Sequence, residues 1–176
     1  FWHNHFVTQI ESYICPSWLY QYHKLLQEYA LGNFKTFTVE MGKTPAMLVY
    51  LNGVQNTRLE PNENYARELY DGEKTIFGQT GNWNYDDVHN ILFTQREDEI
   101  ATHICRKLYA HFVNPEVDEV IVAELATTFK TNDFEIAPVL RQLFKSEHFF
   151  DDVTIGIQFK SPIEFFLSFI NDSNLP

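Results

Sequence analysis

Basic side chains are scarce in this sequence. Thirteen Lys and Arg stand against 24 Asp and Glu, for a formal net charge of −11. Affinity for nucleic acid comes mostly from Lys and Arg neutralising phosphates. No basic cluster occurs along the chain, so nucleic acid is not an expected partner. An anionic membrane surface is disfavoured on the same ground. Long apolar runs are missing too. None approaches the ~20 residues needed to span a bilayer, so no transmembrane segment is expected. Gly and Pro occur only 7 times each, which excludes collagen-like and low-complexity chains. The two cysteines, Cys15 and Cys105, are too few for a disulfide framework, and neither has a CxxC partner. They are expected to be unbonded. No GxSxG, HExxH or phosphate-loop motif is found. No signal peptide is visible, and the chain opens on Phe1-Trp2-His3 without a Met. Such a start reads as the interior of a longer protein.

What is present is apolar and aromatic. Hydrophobic residues make up 44% of the 176, with 16 Phe and 9 Tyr. That suffices for one domain with a core built largely on rings.

The periodicity is helical almost throughout. Trp18 to Leu31 carries apolar residues at 18, 19, 22, 25, 26 and 29 and stops at Gly32, the usual helix terminator. Asn33 is placed to cap a short helix with Phe34, Phe37 and Met41 on one face. Thr44-Pro45 opens another through Leu51, with Pro in the first turn. Pro61-Asn62 starts a further helix over Glu63 to Tyr70. Asp71 to Tyr85, with Gly72, Gly78 and Gly81, is loop-like, and Lys74 to Phe77 is at most one arm of a short β hairpin. Helices follow over Asp87 to Phe93, with Asp86 as its cap, and over Glu97 to Val113, Val120 to Lys130 and Ile136 to Phe144. Ser161-Pro162-Ile163-Glu164 is a capping box, and Ile163, Phe166, Leu167 and Ile170 are expected to form the inner face of the helix it starts. Short links favour antiparallel neighbours. The expected fold is therefore mainly α, an antiparallel multi-helix, bundle-like domain over 1–176. Its subdomains, 1–70 and 86–176, are joined by the Gly-rich loop.

Several of these segments carry long motifs. Phe1-Trp2-His3-Asn4-His5-Phe6, Gly32-Asn33-Phe34-Lys35 and Pro45 to Leu51 come first. Pro61-Asn62-Glu63-Asn64-Tyr65-Ala66-Arg67-Glu68-Leu69, Gly78 to Trp83, Ile104 to Tyr109 and Lys160 to Glu164 follow in order. Together they resemble the bacterial family called "domain of unknown function 1800". The resemblance covers nearly the whole chain and is to the family's central and C-terminal part. It implies a large, commonly exported protein, located in the periplasm or at the cell surface, with protein partners in the cell envelope. It implies no particular activity, ligand or cofactor. The chain departs from the family pattern where Leu69-Tyr70 runs straight into Asp71-Gly72, so a stretch is expected to be missing near residues 70 and 71.

Two constellations can carry chemistry. His3 and His5 form an HxH pair and are the only metal candidates. On a strand they would share one face, whereas on a helix they diverge by about 200°. Neighbouring Phe1, Trp2, Phe6 and Ile10 suit a helix better, and one histidine is then a buried partner for a carbonyl or carboxylate. The second constellation is Glu63, Arg67 and Glu68. Glu63 and Arg67 share a helix face at i, i+4, and a carboxylate there can serve as a general base or simply complete an ion pair. With His5 these residues form the candidate catalytic cluster of a hydrolase-type enzyme, with or without a metal. The competing and favoured reading makes them a structural polar network, His5 packed near Glu63 or Glu68, in a protein that acts by binding. Gly78 to Trp83 reads as a turn anchored by Trp83. His103 and His111 read as surface or interhelical residues.

Overall fold

In a computed structural model the residues described are 1–55, 73–157 and 162–173, with the side chains of Ile163 and Glu164 excepted. The described elements are helical apart from one hairpin. In chain order they are α1 (Trp2–His5), α2 (Pro16–Glu28), α3 (Phe34–Gly42), α4 (Pro45–Tyr50), β1 (Lys74–Ile76), β2 (Gln79–Gly81), α5 (Tyr85–Gln95), α6 (Glu97–Phe112), α7 (Glu119–Thr131), α8 (Ile136–Lys145) and α9 (Pro162–Asp172). Short 3₁₀ turns lie between them. The expected mainly-α fold with one short hairpin is what forms.

The capping chemistry explains most boundaries. The Asn33 side chain accepts from the Thr36 N–H and starts α3, and Thr44 caps α4 with Pro45 in its first turn. α2 begins at Pro16, two residues before its apolar stripe. α5 departs from expectation: its cap is Asn84, not Asp86. Asn84 Oδ1 accepts from the Asp87 N–H at 2.9 Å, and Asp87 Oδ2 accepts from the Asn84 N–H at 3.0 Å. Only that spacing closes a reciprocal box, which is why Asn84 displaces Asp86. The expected helix over Glu63 to Tyr70, the join at 70 and 71 and the Ser161 cap lie outside the described residues.

The hairpin pairs Lys74 with Gly81 and Ile76 with Gln79. Its turn is Phe77-Gly78, with φ of +47° and +82°. Trp83 Nε1–H donates to the Lys74 carbonyl at 3.0 Å, and a Cβ on Gly81 would stand 2.9 Å from the indole. Trp83 thus anchors the turn.

α6 and α7 lie antiparallel. Asp98, near the start of α6, pairs with Lys130 at the end of α7. Arg106, near the end of α6, pairs with Glu119 at the start of α7 at 2.7 Å. These pairs are largely exposed and contribute little on their own. Burial holds the helices together. One core cluster takes Trp2, Tyr22 and Phe37 from before the hairpin and Ile104, Phe129 and Ile136 from after it. Phe37 and Phe129 are wholly buried, each contributing roughly 1.5–3 kcal/mol. The backbone stitches the same two regions together. Phe34 N–H donates to the Phe134 carbonyl at 2.8 Å and Ile136 N–H to the Gly32 carbonyl at 3.0 Å.

α9 overturns one expectation. Phe166, Leu167 and Ile170 share a helix side but are 62, 56 and 44% exposed, so they are no inner face. Periodicity fixes which residues lie together, whereas burial needs an opposing surface. Phe165 and Phe169 on this helix are exposed as well.

Candidate functional site

α1 is a single turn held by its tryptophan. Trp2 is buried among Phe6, Phe34 and Phe37, and its Nε1–H donates to the Ala30 carbonyl at 2.9 Å. With Trp2 fixed, the helical turn sends the two histidines apart. His3 stacks on His23 of α2 with ring centroids 5.3 Å apart. His5 turns to α6, where Lys107 Nζ donates to its Nδ1 at 2.9 Å. Among the described residues, no group of three or more His, Cys, Asp or Glu is arranged to hold a metal ion.

His5 opens onto a cavity of about 540 Å³ between α1, α3, α5 and α6. Its floor is apolar: Phe34, Phe93 and Ile104 are buried there, and Ile100 is partly so. Its rim carries Leu92, Arg96, Glu99 and His103, all exposed. Thr38 and His89, both partly exposed, complete the wall.

Local partners fix how each polar group presents itself. Lys107 donates to Nδ1 of His5, so the proton of the neutral ring sits on Nε2, which becomes a donor. Burial foremost, then the charge of Lys107 and the proximity of His103, lower the His5 pKa to about 4. The ring is therefore uncharged at neutral pH. His89 has the opposite tautomer. Its Nδ1 lies 2.8 Å from the Tyr85 carbonyl, which can only accept, so Nδ1 carries a proton and, in the neutral ring, Nε2 is the acceptor. Thr38 donates its hydroxyl proton to the Lys35 carbonyl at 2.8 Å, leaving its oxygen as an acceptor. At the rim, Arg96 Nη1 donates to Glu99 Oε1 at 2.6 Å. That hydrogen bond holds the Glu99 carboxyl below the usual range and keeps it ionised. The Arg96 guanidinium also lies 4.5 Å from the centre of the Phe77 ring, at the hairpin turn.

Concave, mostly apolar walls with a few placed polar groups are the usual form of a small-molecule site, and about 540 Å³ is ordinary for one. Of the candidate residues read from sequence, His5 is at this site and His3 is not. Glu63, Arg67 and Glu68 lie outside the described residues. Sequence reasoning passed over His89, Arg96, Glu99 and Thr38. Helical spacing places His89, Leu92, Phe93 and Arg96 along one side of α5, and Ile100, His103 and Ile104 along one side of α6. No sequence signal shows that the two sides face each other. His103, expected at the surface, is exposed there, on the rim of the cavity.

A family model described as "Protein of unknown function (DUF1800)" matches residues 1–71 and 70–175. The chain belongs to this family. The two matched segments of the DUF1800 model meet at residues 70 and 71. No curated protein and no solved structure matches the chain. Among the described residues of this DUF1800 chain, no helix is long and apolar enough to cross a membrane.

Proposed function

We propose that this chain is a binding domain that takes a small molecule in the His5 cavity, as an accessory component of the bacterial cell envelope. The observation that supports it best is the cavity itself: an apolar floor of Phe34, Phe93 and Ile104 beneath a wall of histidines with assignable tautomers. Export and protein partners in the envelope come from the habit of the family. The acidic balance, 24 Asp and Glu against 13 Lys and Arg, speaks against nucleic acid as the ligand.

A second reading rests on His89. An imidazole with its Nδ1–H held by a carbonyl presents a free lone pair at Nε2, the arrangement a general base needs. With the Nε2–H of His5 in the same cavity to steady a developing negative oxygen, a hydrolase-type reaction is the alternative.

Titration of isotope-labelled protein with 2-naphthol, a neutral ring-sized probe, tests the binding reading. Saturable shifts are expected at the amides of Thr38, Leu92, Ile100 and Ile104. Shifts confined to α9, whose phenylalanines are exposed, would overturn it. Turnover of naphthyl acetate that disappears in His89→Phe would favour the second reading instead.

A further inference from the structure

The charges around the cavity narrow its ligand. The chain as a whole is acidic, at −11, yet two cations stand at this site. Lys107 backs His5 from behind, with Nζ 2.9 Å from Nδ1. Arg96 stands on the rim over Phe77. Of the described titratable groups lining the cavity, Glu99 alone is anionic, and it is 59% exposed and already bonded to Arg96. His5 offers a donor, its Nε2–H, and the lysine cation polarises that ring toward giving its proton. A donor backed by a cation in a partly desolvated wall selects an anionic acceptor.

Resting on the small-molecule reading of the cavity, we infer that its ligand is a carboxylate with an apolar, ring-sized body, its head against His5 and Arg96 and its body on Phe34, Phe93 and Ile104. A carboxylate can accept from the Nε2–H of His5, and the cations of Lys107 and Arg96 favour its charge. An ammonium head would meet two cations and the proton on Nε2. A neutral alcohol could hydrogen-bond to His5 but would gain nothing from Arg96 and Lys107. His89 and Thr38, both partly exposed, are accessible to solvent. Lys107 acts here as a positioning residue. It does not line the cavity, but fixes the His5 tautomer and supplies charge behind the ring.

Calorimetric titration of the whole chain with 2-naphthoate, 2-naphthol and 2-naphthylmethylammonium tests this. The three share one body and differ in head charge. Naphthoate is expected to bind at least about tenfold more tightly than either of the others. Lys107→Met should weaken naphthoate about tenfold and leave naphthol nearly unchanged, a difference that simple damage to the fold would not produce. Ile100→Trp, or Leu92→Trp at the more tolerant rim, should fill the cavity and abolish binding of all three. If naphthol or the ammonium matches naphthoate, and the tryptophan variants still block binding, the carboxylate assignment fails while the cavity remains a binding pocket. If no probe binds, or the tryptophan variants change nothing, both fail together.

Discussion

Lys107 donates to Nδ1 of His5 across 2.9 Å and, second to burial, helps to keep that histidine uncharged in the wall of the cavity. The His5 pKa lies near 4 in the fold, against 6.5 for a free histidine, chiefly because the ring is buried. Above pH 6.5 both folded and unfolded chains carry a neutral His5, and it adds no pH dependence. Between 6.5 and about 4 the unfolded chain takes up a proton that the folded one refuses, so stability falls as pH falls. Below about 4 both are protonated and the loss is complete. The ring is only partly buried, so solvent screening reduces the effect to about 1–2 kcal/mol. Denaturant unfolding at stepped pH, with the His5 ring followed by NMR, is expected to show this loss. It should disappear in His5→Gln.

Gly42 closes α3 against the ring of Tyr85. A Cβ at Gly42 would stand 2.1 Å from Tyr85 Oη, and that hydroxyl donates to the Val39 carbonyl at 2.9 Å. Gly42→Ala should therefore push the ring out and disturb the α3–α5 contact that positions His89, at a cost of about 1–3 kcal/mol. The nearby Lys43–Asp86 pair is half exposed and too weak to compensate. Adding Tyr85→Phe removes the oxygen that clashes. The double variant should melt at a higher temperature than Gly42→Ala alone, although the ring carbon at 3.2 Å keeps it below the parent.

Phe77 adopts a φ of +47° in a turn that favours Asn-Gly. A left-handed backbone costs an ordinary residue about 1–2 kcal/mol, whereas an exposed contact with Arg96 returns only about 0.5–1. Phe77→Asn should on balance stabilise the protein by roughly 0.5–1 kcal/mol, seen as a higher urea midpoint. It should also free the Arg96 guanidinium, seen as a sharper Nε resonance.

The cysteines are free, as expected from their number. Burial pushes the Cys105 thiol up to about 12. The Ser17 hydroxyl bonded to Cys15, together with backbone N–H groups, lowers that thiol instead. Iodoacetamide near neutral pH should label Cys15 alone in the folded protein and both in denaturant. Equal labelling in the folded state would mean that the core around Cys105 opens readily.

Local chemistry was legible from the sequence wherever one stretch of chain settles the outcome. Asn33 and Thr44 cap where their spacing requires it, and Ile136, Val139, Leu140 and Leu143 bury as one stripe. Asn84 was missed because Asp86 looks equally able to cap until the reciprocal bond to Asp87 is considered. The apolar side of α9 was read correctly as a side and wrongly as an inner one.

By itself the sequence determined the described helices, most of their caps, a short hairpin, the divergence of His3 from His5 and the family. Each depends on residues within a turn or two of one another. Only the tertiary structure decided that α1 lies beside α5 and α6. That placement brings His5 to Lys107, 102 positions away, and faces it to His89, Arg96 and His103 across one cavity. Trp2 in the core and its bond to Ala30 fix α1 there. Packing of this kind depends on the shapes of surfaces assembled from distant segments, which periodicity along the chain does not encode.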